Sequence, residues 1–403
     1  MTHPPAAPGE GTASVPARPA AKPANPRFST GPCTKHPGWR LDRLDTSALG
    51  RSHRAALPKR ELERAIVRAS ALMALPEDWV QAIVPASDTG AFELAMWSLL
   101  GPRGVEALVW ESFSADWAVD LSEQLAIDDL AIRRADYGKL PDLTGIAPDR
   151  DLVFVYNGTT SGVRVPDLDF VARDRSGLVL CDATSAVFAM PLDYRRLDVV
   201  TWSWQKVLGG EAGFGMLALS PRALARLAEY TPRWPLPKVF RLVKNGRVDH
   251  AVFEGWTLNT PSLLAVADLH SALDWAESTG GLEALIERSA RNAAVVDAWV
   301  QQSSWAQWLA EDPATRSSTA LCLKVVDPRF LALDETAKRR AIATMCRWLE
   351  EEGAGFDVAA YRTAPPGFRV WGGATVEAAD LEALMPWLDW AFARYFAAGS
   401  GDR

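Results

Sequence analysis

Apolar side chains recur along this chain with two different periods. Over residues 59–69, Lys-Arg-Glu-Leu-Glu-Arg-Ala-Ile-Val-Arg-Ala, they return at helical spacing, which predicts a helix with one apolar face. Elsewhere, short runs rich in Val, Ile, Leu and aromatics stand between turn residues at 81–85, 107–110, 151–156, 177–181 and 199–202. Brief, nearly continuous apolar runs suit strands covered on both faces, so they predict a mainly parallel sheet. Helical stretches at 91–100 and 115–125 fall between several of them, the βαβ rhythm of an α/β domain, and the run 213–219 is expected to close the sheet. From about residue 280 the order changes to helix 282–300, strand 319–326, helix 335–351, strand 368–371 and helix 377–396, which predicts a smaller α+β domain. No internal repeat is evident.

The first 26 residues are dominated by Pro, Ala, Gly and Thr and have few large apolar groups to bury, so a flexible tail is expected there. The expected organisation is a tail over 1–26, a large domain with its N-terminal segment over 27–280, and a small C-terminal domain over 281–403. With 403 residues, 48% of them hydrophobic, the chain can bury one large core and a smaller one. A net charge of -7 without a long basic block argues against a nucleic-acid partner. Cys33, Cys181, Cys322 and Cys346 are scattered and the histidines lack metal-ligand spacing, so neither a disulfide framework nor a metal is expected. No apolar run reaches the roughly 18 residues that span a bilayer, and no signal pattern opens the chain, so no membrane partner and a cytoplasmic location are expected.

Chemistry concentrates where predicted strands end. Lys206 follows the strand 199–202 within Ser203-Trp204-Gln205-Lys206-Val207-Leu208-Gly209-Gly210, and Asp182 follows 177–181. In an open α/β sheet both would project from the same edge. An amine that can hold an aldehyde as a Schiff base, with a carboxylate that keeps a pyridine nitrogen protonated, reads as a pyridoxal 5′-phosphate site. The alternatives are a solvated lysine and an aspartate closing an Asx turn; the pairing favours the cofactor. Ala86-Ser87-Asp88-Thr89-Gly90 lies between a strand and a helix, where backbone amides would receive the cofactor phosphate, with Thr89 and Gly90 leading and Asp88 capping the helix or pointing away.

The order of these residues, together with Phe28-Ser29-Thr30-Gly31-Pro32, Ser52-His53-Arg54, Asn157-Gly158-Thr159, Gly213-Phe214-Gly215, Asn259-Thr260-Pro261 and Arg369-Val370-Trp371-Gly372-Gly373, resembles the phosphoserine aminotransferase family of class V, fold type I. The resemblance covers nearly all of the chain after residue 26. It implies that Lys206 carries the Schiff base and moves the substrate proton, Asp182 pairs with the ring nitrogen, Phe113 stacks on the ring, Thr159 bonds the phenolic oxygen, and Gln205 touches the phosphate region beside Asp88 and Thr89. It further implies a homodimer in which Asn259 and Thr260 reach the phosphate from the second subunit. Arg369 would bind the substrate α-carboxylate, and His53 and Arg54 of the partner, with Arg362, the substrate phosphate; planar guanidinium groups suit both anions. Tyr361 stands where some relatives carry a histidine. The implied reaction transfers an amino group between glutamate and 3-phosphohydroxypyruvate, giving O-phospho-L-serine and 2-oxoglutarate in serine biosynthesis; some relatives also serve pyridoxine biosynthesis. A serine- or alanine-glyoxylate activity would keep Lys206, Asp182 and Arg369 without a phosphate pocket, and a non-catalytic dimeric binding protein would keep only the fold.

Overall fold

The computed structural model describes residues 17–397. Seven strands build the main sheet: β1 (Val80–Pro85), β2 (Val105–Val109), β3 (Leu130–Arg134), β4 (Asp151–Val155), β5 (Val179–Asp182), β6 (Val199–Ser203) and β7 (Phe214–Leu219). Their spatial order is β1-β7-β6-β5-β4-β2-β3. Only β7 is antiparallel to its neighbours; the other pairs are parallel, so the carboxyl ends of β1 to β6 share one edge. Strands β2, β4, β5, β6 and β7 are buried along their whole length, which is why their sequences read as apolar runs without alternation. The edge strand β3 is only half-buried and ends in Arg133-Arg134, so it carries no such run and the sequence did not announce it.

Helices α1 (Ala56–Leu72), α2 (Ser87–Leu99), α3 (Ser112–Val119), α4 (Pro221–Glu229), α5 (Leu263–Thr279) and α6 (Gly281–Gln302) complete the large unit and lead out of it. Helix α2 begins four residues before the helical stretch expected at 91–100 and packs on β7 and β6. Its approach depends on Gly215, where a Cβ would collide with the Ser87 carbonyl. Helix α3 starts in a capping box: the Glu111 carboxylate accepts from Ser114 N at 2.8 Å while Ser114 Oγ accepts from Glu111 N at 3.2 Å. It widens at Asp120–Gln124 into a π turn, so the helix expected at 115–125 is regular only in its first half.

The C-terminal unit has a three-stranded antiparallel sheet, β8 (Ala306–Trp308), β9 (Ala320–Val325) and β10 (Gly367–Trp371), with helices α7 (Glu335–Glu351) and α8 (Ala378–Ala397) packed on each other and α6 packed on α8. The three-residue β8 is too short for a sequence signal. Five of the tryptophans, Trp110, Trp202, Trp204, Trp371 and Trp387, are fully buried and serve packing.

The expected flexible tail needs correction over its described part. Residues 18–26 lie along the C-terminal unit: Ala24 N and Asn25 N donate to Asp380 Oδ1, Trp387 Nε1 donates to the Ala21 carbonyl at 2.7 Å, Arg18 pairs with Glu352, and Phe356 N donates to the Pro26 carbonyl at 2.7 Å. Composition offered little for burial, but backbone groups and one buried carboxylate hold this stretch instead. Residues 1–16 of that expectation lie outside the described residues. Trp371 N then donates to the Phe28 carbonyl, which carries the chain onto the edge of the small sheet and toward Lys206.

Candidate active site

Beyond Ser203 the chain leaves β6 through Trp204, which packs on Phe214, and brings Lys206 into a cavity at the carboxyl edge of the sheet. Lys206 is 9% exposed, and its Nζ donates to the Thr30 carbonyl at 2.6 Å. No carboxylate forms an ion pair with it among the described residues. Burial pulls its ammonium below the usual lysine range; the Arg369 charge acts the same way, and Cys33, Asp182 and Asp88 oppose. An amine so placed is readily available in its neutral, nucleophilic form. Gly31 makes the contact possible, since a Cβ there would stand 2.6 Å from Lys206 Nζ.

Asp182, the last residue of β5, lines the same cavity. Its Oδ2 accepts from Trp117 Nε1 at 3.1 Å and its Oδ1 from Thr184 N at 3.0 Å, which fixes the plane of the carboxylate. Thr159, Phe113, Thr89, Asp88 and Gln205 line it too. Thr159 Oγ1 donates to Ser185 Oγ at 2.8 Å, and Gln205 Oε1 is buried without a partner. The turn entering α2 holds Ala86 and Ser87 at φ 69° and 57°, left-handed values that cost non-glycine residues on the order of 1 kcal/mol each and that cluster at binding sites. The expected cap is not formed: neither Asp88 carboxyl oxygen has a donor among the described residues, and the side chain is buried at the same cavity as Asp182.

Above the cavity Phe113 packs on Tyr361, ring centroids 5.7 Å apart. The guanidinium of Arg369, in β10, lies 5.3 Å from the same ring and reaches the Thr159 carbonyl at 3.5 Å; that of Arg362 lies 5.6 Å from it on the exposed side. Arg369 thus joins the site, and Arg362 stands at its rim. A polar chain ties this rim to the large unit: Ser112 Oγ meets Thr363 Oγ1 and Tyr137 OH, each at 2.6 Å, and Thr160 Oγ1 donates to Glu111 Oε2 at 2.7 Å. Glu111 lines the cavity, and burial raises its carboxyl to about 7 against the bonds from Thr160 and Ser114.

Four expected residues are not brought to Lys206 within one chain. Arg54, Asn259 and Thr260 are exposed and His53 is half-buried, and none lines the cavity. Arg54 instead borders a surface hollow with Lys238, Arg241, Lys244, Asp249, Thr257 and Leu258, which brings Arg54 beside the residues that precede Asn259 and Thr260.

Residues 127–343 match the family model described as Aminotransferase class-V. A phosphoserine aminotransferase of Methanosarcina barkeri is 52% identical over 375 residues, spanning 93% of this chain and 99% of that protein. The chain belongs to the class-V aminotransferases. Solved structures share the fold of this aminotransferase: a pyridoxamine-pyruvate aminotransferase from Mesorhizobium loti superposes with a TM-score of 0.76 at 21% identity, covering 94% of both chains. A phosphoserine aminotransferase from Trichomonas vaginalis, solved with its pyridoxal phosphate bound, gives 0.71 at 16% identity, covering 91% of this chain and 99% of that one.

The residues of the aminotransferase site fit pyridoxal phosphate. Lys206 offers a desolvated amine, Asp182 keeps lone pairs beyond those taken by Trp117 and Thr184, and the first turn of α2 presents amides that no helix can satisfy internally. Gln205 Oε1 and Thr184 Oγ1 have no partner among the described residues. Sequence reasoning missed five contributors. Trp117, which orients Asp182, and Glu111 look like ordinary helix-start residues. Thr30 and Gly31 were visible only as part of a motif without a role. Ser185, beside Thr159, was read only as a small neighbour of Asp182.

Proposed function

We propose that this aminotransferase is a homodimeric, pyridoxal-phosphate-dependent phosphoserine aminotransferase of the cytoplasm, interconverting 3-phosphohydroxypyruvate and glutamate with O-phospho-L-serine and 2-oxoglutarate in serine biosynthesis. The observation that carries it is that Lys206 and Asp182 line one cavity, with Arg369 reaching the carbonyl of its lining residue Thr159, in a chain 52% identical to a phosphoserine aminotransferase. The cofactor, when bound, supplies an aldehyde that exchanges amines and a ring that draws electrons from the substrate α-carbon.

The chain's own residues do the rest. Arg369 takes the α-carboxylate, with Tyr361 beneath its guanidinium limiting the orientations available. Lys206 Nζ, held by Thr30, is the base that removes the α proton and returns it. Asp182 keeps the ring nitrogen protonated, and Trp117 and Thr184 hold its carboxylate in place. Phe113, Trp117 and Val155, apolar side chains of the lining, keep water from the reacting carbon. Arg362 meets the substrate phosphate from the rim. The absence of Arg54, Asn259 and Thr260 from the lining of their own Lys206 cavity, and the placing of Arg54 beside Thr257 and Leu258, supports their acting in the partner's site; His53, Arg54 and Arg362 would then surround the phosphate from two subunits. The cavity is lined from the 27–280 unit, and the 281–403 unit approaches it through Tyr361 on Phe113 and Arg369 on the Thr159 carbonyl.

The test is a half-reaction. Purified protein with its visible cofactor band is titrated with O-phospho-L-serine, L-glutamate, L-serine and L-alanine. Bleaching of the band by phosphoserine and glutamate at far lower concentrations than by serine or alanine is the expected result. A band that responds to alanine or serine and not to phosphoserine would replace this reading with a glyoxylate-type activity.

A further inference from the structure

Asp88 is the side chain of this site whose surroundings conflict with its charge. It is the second residue of α2, 6% exposed, and neither carboxyl oxygen has a hydrogen-bond donor among the described residues. The Asp182 carboxylate faces it from the end of β5, and the Thr184 and Thr201 hydroxyls stand alongside, both without partners of their own. The other titratable groups near it are the Lys206 ammonium and the buried Cys181 thiol. An ionised carboxylate here would be buried against a second carboxylate, a situation that costs several kcal/mol, whereas the helix N-terminus returns only about 0.3–1 kcal/mol. Protonation removes the conflict: one oxygen gains a hydrogen to donate, and the other can accept from Thr184 or Thr201.

We propose that Asp88 is carried as the carboxylic acid and donates its proton to the Asp182 carboxylate, making it a positioning residue for the group that holds the cofactor ring nitrogen. The lone pairs agree. Asp182 has about four acceptor positions; Trp117 and Thr184 N take two, Asp88 a third, and one remains for the ring N–H. Burial first, and the Asp182 charge second, push the Asp88 carboxyl well above the ordinary range. A neutral Asp88 also spares the α2 N-terminus a negative charge where the cofactor phosphate would be received. The inference rests on the pyridoxal-phosphate reading of the site and is independent of which amino acid is the substrate.

The experiment compares wild type with D88N, without cofactor, by thermal midpoint from about pH 5 to about pH 9. A carboxyl whose folded value is raised contributes stability that is complete below the unfolded value of about 4 and is lost as pH rises toward the folded value. Asparagine has no proton to lose, so D88N should gain on wild type by a few degrees as pH rises. Glu111 and Asp120 titrate in both proteins and cancel. Parallel curves overturn the proposal. At neutral pH the infrared difference between wild type and D88N should contain a protonated-carboxyl stretch, and its absence also overturns it. If D88N does not fold, the same band is sought in E111Q, which removes the other buried acid of the cavity; no remaining band again overturns it. Should the protein bind no pyridoxal phosphate at all, the site reading fails while the infrared and thermal measurements still decide whether Asp88 holds a proton.

Discussion

At the amino edge of the large sheet, Asp151 and Asp198 are buried and fully paired; at the carboxyl edge, Asp88 and Lys206 are comparably buried and nearly without partners. Asp151 accepts from Arg226 through both oxygens and from Leu178 N, and Asp198 accepts from Arg175, Arg222, Ser220 Oγ and Val179 N. Lys206 has one carbonyl, and Asp88 has none. The same sheet thus spends its polar groups in opposite ways. One edge satisfies them with arginines and ties strands together, and the other leaves the Lys206 amine open to something that binds and Asp88 without any cation. Burial of a charge alone does not mark function; burial without a partner does.

Substitutions on the two edges should separate cleanly. The largest effect is expected for Lys206→Ala, a loss of transamination on the order of 10⁴-fold or more with the urea midpoint of the cofactor-free protein unchanged or raised, since a desolvated amine is removed. A clear drop in that midpoint would assign Lys206 to the structural class. Asp198→Ala should do the reverse. It leaves the buried guanidinium of Arg175 unpaired and should cost about 3–5 kcal/mol in urea unfolding, with activity per folded molecule retained. If activity fell while stability held, the division between the edges would not stand.

Arg369→Gln comes next, with KM for phosphoserine and for glutamate rising together by about 10–100-fold, because a charged hydrogen bond to a carboxylate common to both is lost. A rise for phosphoserine alone would move Arg369 to the phosphate end. The smallest effect concerns Glu111. Its raised carboxyl, at about 7, means that wild type loses stability as pH climbs from the ordinary glutamate range to about 7, and Glu111→Gln should flatten that slope by on the order of 1–3 kcal/mol. Unfolding curves for the two proteins that keep a constant offset across this range would show that Glu111 does not titrate there.

The carboxyl edge was the more legible of the two in sequence, for a physical reason. Covalent chemistry on an aldehyde requires a lysine and a ring nitrogen requires a carboxylate, so Lys206 and Asp182 are constrained in type as well as position. The strand runs were equally plain, because parallel strands covered on both faces have no polar register to disguise them. What stayed hidden depends on where chains meet in space. Trp117 reaches Asp182 from another element, Thr30 acts through its carbonyl, and Asp151 and Asp198 find their arginines across the sheet, so residue type says nothing about the contact. Asp88 was legible as out of place at an anion site, but that it makes no cap was not, because a carboxyl at a helix start is ordinarily one and only the packing of α2 on β7 and β6 turns it inward.

The stretch from Arg18 to Pro32 runs from the last helix of the chain to the amine of Lys206. A protease nick or an engineered deletion that reached Ala24 would release its anchors on Asp380 and Trp387 and slacken the Thr30 carbonyl's hold on the lysine, far from the cut. The quality of an enzyme preparation would therefore be recorded in its first thirty residues, and fusion partners placed at the front of the chain belong before Arg18.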